Sequence, residues 1–397
     1  MRHLLFLFLA LSLTAACAQK PVAVPLPDLK NAEALGADLY RDSGSTGLVL
    51  VLVRDNQVFF HGYGETAPDS HQTPTADSVV RLCSLTKIFT TDLLTKLTID
   101  KTVHLNDPLQ RFAPAHAIVP KSTRPITLFD LATHTAGVPR ELGTAPRGSA
   151  HFTFPDYATR WRWLPNQHLR STPGTVALYS NVGYDLLSDA LQAAAHKPYA
   201  TLLAERTINP LRMYQTTFYP DASQCARLLA SIYDDGPCTT TENSEGSAGL
   251  YSTANDMTIW LKYLLGTGGA GIPSQPAAAQ QSYLPLTQLT RETGLDHAGR
   301  PTAIGLGWMH LLAPDSPSHL IEKTGGGAGF LTYIAIHPAS HTALFLAATD
   351  GSGASRVDGF NLFKSANDLL LSLANLPPIP REKPKPHARV TRRHHKR

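Results

Sequence analysis

The chain has 397 residues, 43% hydrophobic and 17% charged, which suits a soluble globular protein with a sizeable core, arranged as one large domain or two ordinary ones. Its formal charge of +4 comes from the far end: residues 381–397 hold eight Lys/Arg against one Glu, leaving the rest of the chain at −3. That balance excludes a basic nucleic-acid-binding domain, and no internal repeat is found.

The start of the chain reads as an export signal. Arg2 supplies positive charge, residues 4–13 form an apolar run, and Ala16-Cys17-Ala18 is a small-x-small cleavage site. The run is too short to span a bilayer. Residues 1–18 are therefore expected to be removed. Thr14-Ala15-Ala16-Cys17 is also a poor lipobox, and lipidation at Cys17 stands as the lesser alternative. After a Pro-rich lead, a helix is expected over residues 28–40. Residues 47–53 and 57–63 read as a β-hairpin joined by Arg54-Asp55-Asn56, which has turn chemistry. The first of these strands is apolar on both faces, so something must cover each side of its sheet.

An alternating stretch, residues 78–82, runs into Cys83-Ser84-Leu85-Thr86-Lys87 and an apolar helical segment. Residues three apart share a helix face, so the Lys87 amine should lie one turn above the Ser84 hydroxyl. That pairs a weak nucleophile with a proton acceptor, at a helix start whose free N–H groups favour developing negative charge. As plain structure, Ser84 is an N-cap and Lys87 a solvated lysine. The partners must decide.

Helical patterns dominate from residue 84 to about 265. Thr127 with Asp130 opens a short helix as a capping box, and Thr135-Ala136-Gly137-Val138-Pro139 is a turn. Residues 181–195 carry Tyr184, Leu187, Leu191 and Ala194 on one face, and residues 252–256 start a further helix. Cys225 and Cys238 lie thirteen apart around the turn-rich residues 234–237, and in an oxidising compartment they are expected to form a disulfide. Cys83 is expected to be a buried thiol without a chemical role. Strand patterns return at residues 320–325, 329–337 and 342–349 as an antiparallel meander, followed by a helix over 360–373. The expected fold is thus α+β: an antiparallel sheet built from both chain ends and flanked by helices, with a mostly helical region inserted. The expected boundaries are 19–83 and 301–376 for the sheet-bearing parts and 84–300 for the helical part. The Pro-rich basic tail, 377–397, is expected to be disordered.

Two further motifs carry the functional argument. Tyr179-Ser180-Asn181 precedes the 182–195 helix; structurally, Asn181 is its N-cap and Tyr179 packs on its first turn. Functionally, the Tyr179 hydroxyl exchanges protons with Ser84 or a leaving group, helped by nearby cations, and the Asn181 amide orients a substrate amide. Lys323-Thr324-Gly325-Gly326-Gly327 lies on a late strand. There, glycines let a substrate backbone approach a sheet edge, the Gly326 N–H completes an oxyanion hole, and Lys323 and Thr324 offer charge and a hydroxyl to a carboxylate. A phosphate-binding loop is rejected because its glycines should precede the lysine.

In this order and at these separations, Ser84-x-x-Lys87, Tyr179-x-Asn181 and Lys323-Thr324-Gly325 resemble the three motifs of the penicillin-recognising serine enzymes. The Tyr-x-Asn version is similar to class C β-lactamases and low-mass penicillin-binding proteins. Residues 126–139, 174–187, 246–257 and 323–330, with the Cys225/Cys238 segment, are most similar to the AmpH-type D-alanyl-D-alanine carboxypeptidase/endopeptidases. The likeness covers roughly residues 46–350. It implies a sheet domain and a helical domain with the site in the cleft between them. It also implies a periplasmic enzyme without cofactor, attacking muropeptides through Ser84 and acylated there by β-lactams, with Lys87 and Tyr179 sharing the proton transfers. Cys83 departs from the small residue expected at its position and should crowd the helix start. The alternatives are a class C β-lactamase, an esterase on small acyl esters and a silent cell-wall-binding module.

Seventeen histidines invite a metal reading, but no His-Glu-x-x-His occurs and His394-His395 sit in the tail, so no metal site is expected. His134 is expected to brace a turn. A weak contact of the basic tail with anionic cell envelope is a further expectation.

Overall fold

All eight residues of strand β1 (Gly47–Arg54) are buried, and the two-residue alternation of a strand divides them between two cores. Val49, Val51 and Val53 join a large cluster beneath one face of the sheet, whereas Leu48, Leu50 and Leu52 join a smaller cluster beneath the other. This is the two-sided cover that an unbroken apolar strand demands. The structure, a computed structural model, describes residues 29–232, 236–269, 271, 273–295, 298–299, 301–349 and 361–379. The expected leader and nearly all of the expected basic tail lie outside them.

The remaining strands in chain order are β2 (Gln57–Gly64), β3 (Val79–Arg81), β4 (Val176–Leu178), β5 (Tyr251–Thr253), β6 (Leu284–Pro285), β7 (Arg291–Thr293), β8 (Pro301–Ile304), β9 (Met309–Leu311), β10 (Leu320–Gly327), β11 (Phe330–His337) and β12 (Thr342–Thr349). Eight of them form one antiparallel sheet in the order β2-β1-β12-β11-β10-β9-β8-β6. Its centre is the seam where the chain ends meet, with Leu48 opposite Ala348 and Leu50 opposite Leu346. The expected sheet from both termini is therefore present. β3 pairs with β5, and β4 lies parallel to β7.

One face of the sheet is covered by the helices Ala32–Ser43 and Leu362–Leu373, which bring Ala32, Leu39, Leu362, Ala366 and Leu370 to the smaller core. The first helix begins four residues later than the sequence pattern suggests, after a 3-10 turn at Leu29–Asn31, and ends at Gly44 in the left-handed conformation. The other face carries the large core, at whose centre runs the helix Thr86–Ile99. Nearly all of that helix is buried, so it needs partners on every side. Phe89 stacks on Trp260, ring centroids 3.9 Å apart, and its threonines turn their hydroxyls back onto the helix carbonyls, Thr95 to Thr91 at 2.8 Å and Thr98 to Leu94 at 2.8 Å.

Local chemistry sets the other entries into helices. Thr127 and Asp130 form the expected capping box, and Arg124 clamps the same carboxylate at 2.6 and 2.7 Å. For the helix Asn181–Ala195 the sequence reading needs correction. Ser180, not Asn181, is the N-cap: its hydroxyl accepts from the Gly183 N–H at 2.8 Å and donates to the Pro139 carbonyl at 2.6 Å. The Asn181 side chain is thereby released for other work. Cys225 and Cys238 form the expected disulfide.

Leu50 is fully buried at the central seam. Leu50→Ala should lower the unfolding free energy by ~2–5 kcal/mol, read from the urea midpoint by tryptophan fluorescence; a loss under ~1 kcal/mol would show that the seam is not a packed core.

Candidate active site

Ser84 sits in the 3-10 turn Cys83–Leu85, which leads straight into the Thr86–Ile99 helix. Two neighbours hold this turn. The Leu82 N–H donates to the Leu250 carbonyl at 2.8 Å, and the Leu82 carbonyl accepts from the Thr332 hydroxyl at 2.8 Å. Cys83 adopts a left-handed backbone, φ 50°, a conformation that costs an L residue ~1–2 kcal/mol and that this packing over-determines. The Cys83 side chain is buried, with its sulfur 3.3 Å from the Gly327 carbonyl. Burial pushes that thiol up to about 12, so it is no rival nucleophile.

Lys87 is fully buried, one turn above Ser84. Its Nζ lies 3.2 Å from Ser84 Oγ, 2.7 Å from Asn181 Oδ1 and 2.8 Å from the Ser247 carbonyl. No carboxylate is among these three contacts. Burial, and secondarily the positive charge of Lys323, lowers the proton affinity of this amine, while Tyr179 and Asp185 pull it back up.

The Tyr179 hydroxyl lies 2.9 Å from Ser84 Oγ. Its backbone is drawn into place by β4, whose end packs with Leu295, Ile304 and Met309 in a third small core. Three basic side chains surround its ring: Arg140 at 4.6 Å, Lys87 at 4.9 Å and Lys323 at 5.3 Å from the centroid. On one face His134 stacks against it, centroids 4.4 Å apart. Burial, and after it those same basic groups, hold His134 well below the ordinary histidine range, and its Nδ1 accepts from the Ser180 N–H at 3.1 Å. A bracing imidazole is what its place at the turn suggested.

β10 closes the site from the sheet side. Lys323 is 1% exposed and Thr324 8% exposed, and the Lys323 amine donates to the Thr324 carbonyl at 3.0 Å. Gly325 is required by close approach. A Cβ there would fall 2.2 Å from Thr332 Oγ1 and 3.1 Å from the Ser84 nitrogen. Gly326 follows, exposed and opposite Leu331. All three motifs thus converge on Ser84.

Residues 30–364 match the Beta-lactamase family profile. This chain belongs to the beta-lactamase family. It is 38% identical over 384 residues to the D-alanyl-D-alanine-carboxypeptidase/endopeptidase AmpH of Escherichia coli strain K12, covering 95% of this chain and 98% of that relative. A solved beta-lactamase/D-alanine carboxypeptidase from Yersinia pestis, complexed with citrate, has a TM-score of 0.79 at 38% identity, covering 84% of this chain and 95% of that one. A class C beta lactamase from Rhodobacter sphaeroides shares the fold, with a TM-score of 0.68 at 22% identity over 86% of this chain and 99% of that one.

Sequence reasoning missed several neighbours of this beta-lactamase-family site. Asn181 is held on both sides: its amide nitrogen donates to Glu141 while its oxygen accepts from Lys87. Glu141, Arg140 and Ser247 stand outside the three motifs, although Ser247 falls in the family-like stretch 246–257. Only folding brings them here. Among the described residues no cluster of His, Cys, Asp and Glu could hold a metal ion.

Two outcomes follow from this geometry. Cys83 in the native protein should resist an aromatic disulfide reagent for hours and react within minutes once unfolded; fast native labelling would contradict its burial. Gly325→Ala should keep the fold by circular dichroism while slowing penicillin acylation at least ~10-fold, because the added methyl forces the strand away from Ser84; an unchanged rate would show that the contact tolerates a side chain.

Proposed function

We propose that this protein is a serine D-alanyl-D-alanine carboxypeptidase/endopeptidase that cleaves peptidoglycan peptides through an acyl-enzyme on Ser84. The observation that carries the reading is the convergence of an amine and a phenol on one hydroxyl, Lys87 at 3.2 Å and Tyr179 at 2.9 Å, in a chain 38% identical to a carboxypeptidase/endopeptidase over almost its whole length.

The three contacts of Lys87 support one assignment of the proton transfers. Asn181 Oδ1 and the Ser247 carbonyl can only accept, so a neutral amine donates its two hydrogens to them and turns its lone pair to Ser84. Lys87 is then the base for acylation: it takes the Ser84 proton as Oγ attacks the carbonyl carbon of the scissile peptide bond. Burial without a carboxylate contact is the environment such a base needs. Tyr179 gives its proton to the leaving amine as the C–N bond breaks, and the surrounding cations stabilise the phenolate so formed. The Ser84 and Gly326 N–H groups hold the tetrahedral oxyanion. Lys323 and Thr324 bind the carboxylate of the departing D-amino acid, and Asn181 aligns the acyl-side amide. Water, activated by the same two groups, then releases the acyl chain and restores Ser84.

β-Lactams present a strained amide in the place of that peptide bond and acylate Ser84. Peptidoglycan peptides set the place of action in the periplasm, reached through the leader at residues 1–18. No helix among the described residues is long and apolar enough to cross a membrane.

A fluorescent penicillin should label the wild type durably and leave Ser84→Ala unlabelled, and Lys87→Ala should slow acylation by ~10²–10⁴. Incubation with a pentapeptide muropeptide and its cross-linked dimer should release D-alanine and monomers, read by mass spectrometry. Rapid turnover of a chromogenic cephalosporin without muropeptide cleavage would make the protein a β-lactamase instead. A folded sample that neither labels nor cleaves would make it a binding module.

A further inference from the structure

On the face of the sheet opposite the helix Thr86–Ile99, the helices Ala32–Ser43 and Leu362–Leu373 leave a groove of about 390 Å³ along their seam. Residues three and four apart on each helix share the face that lines it. The groove is apolar where Leu35, Leu39 and Leu369 meet it, and acidic where Asp38, Asp42 and Asp368 do. Arg41 reaches both carboxylates of the first helix, Asp38 at 2.7 Å and Asp42 at 3.3 Å, but the side chains of Arg41 and Asp38 are 62% and 58% exposed. Exposed pairs of this kind are held weakly and exchange partners readily. The surface thus combines apolar area with an excess of negative charge.

The chain itself leads into this groove. Leu376 and Pro378, just past the second helix, line it, and Ile379 packs on the smaller core. The described residues therefore stop at the groove, and residues 380–397 follow with eight Lys/Arg against one Glu. Residues 19–28, which lead into the first helix, hold one Lys and one Asp and so bring no net charge. The stretch next to the groove, Pro380-Arg381-Glu382-Lys383-Pro384-Lys385-Pro386, spaces basic residues between prolines. Proline fixes φ, which favours an extended chain and leaves it little freedom to lose on docking. At ~3.1 Å per residue, residues 381–386 cover ~19 Å, against ~18 Å for a twelve-residue helix.

We propose that residues 380–386 fold back along this groove as a strap, with their prolines over Leu35, Leu39 and Leu369 and their basic side chains against Asp38, Asp42 and Asp368. The groove is then a binding site for the chain's own tail, and the strap ties the two covering helices together at their seam. It lies across the sheet from the helix that carries Lys87, so it acts on the stability of that layer and not on the Ser84 chemistry. The free part of the tail begins only after residue 386.

The experiment is zero-length carbodiimide coupling on the full chain at low ionic strength, where screening is least, read by peptide mass spectrometry. Lys383 and Lys385 should couple to Asp38, Asp42 or Asp368 within one chain. That coupling should exceed coupling to Glu33, an exposed carboxylate on the same helix outside the groove, by at least ~5-fold. The exposed pair Lys197–Glu205 is the internal control. If the control couples while the tail lysines do not, or if they couple equally to Glu33, the tail hangs free and the inference is overturned. Coupling only between isotopically distinct chains would give the groove to a second copy and overturn it too. A second measurement is hydrogen exchange on the same protein. Amides of residues 381–386 should exchange at least ~10-fold more slowly than in a free peptide of residues 380–397, and lose that protection in Asp38→Asn/Asp42→Asn/Asp368→Asn. Exchange as fast as in the free peptide refutes the strap.

Discussion

The organisation of this molecule depends on one arrangement, a lysine amine held in the interior without a carboxylate in contact. Such an amine is unstable as an ammonium unless many oxygens face it. Here the oxygens are an asparagine amide, a backbone carbonyl and the serine hydroxyl it serves. Each comes from a different part of the chain. The helix carrying Lys87 is therefore walled in on all sides, by the sheet, by the Asn181–Ala195 helix and by the segment around Ser247.

That enclosure explains features which look unrelated along the chain. Gly246 has no room for a side chain, since a Cβ there would fall 2.1 Å from the Tyr184 carbonyl, so the segment bearing Ser247 lies flush against the helix bearing Asn181 and Asp185. Gly325 lets β10 lie flush against the Ser84 turn from the opposite side. His134 stays neutral chiefly because it is buried, and secondarily because basic groups already crowd the same space.

Much of this was legible in the residues alone. The β1–β2 hairpin, the β10–β12 meander, the helix Asn181–Ala195 and the Thr127/Asp130 cap carry strong local signals, namely alternation, turn residues and capping chemistry, and each lies within a few residues of its expected place. The short strands β6, β8 and β9 were not legible. Two to four residues are too few to show a two-residue period, and their pairing depends on neighbours already in the sheet. The N-cap was misplaced by one residue because Ser180 and Asn181 are both good caps in isolation. What separates them is the Pro139 carbonyl, which accepts the Ser180 hydroxyl and is forty-one residues away in the chain.

The sequence by itself determined which side chains could do chemistry, since Ser84-x-x-Lys87 is a matter of helical pitch and the three motifs keep their order whatever the fold. It also determined the two-faced sheet, because an unbroken apolar strand admits no other placement. Only the tertiary structure decided the electrical state of the site. Burial of Lys87 and the basic groups gathered around Tyr179 are sums over residues distant in sequence, and charge is felt through space, not along the chain.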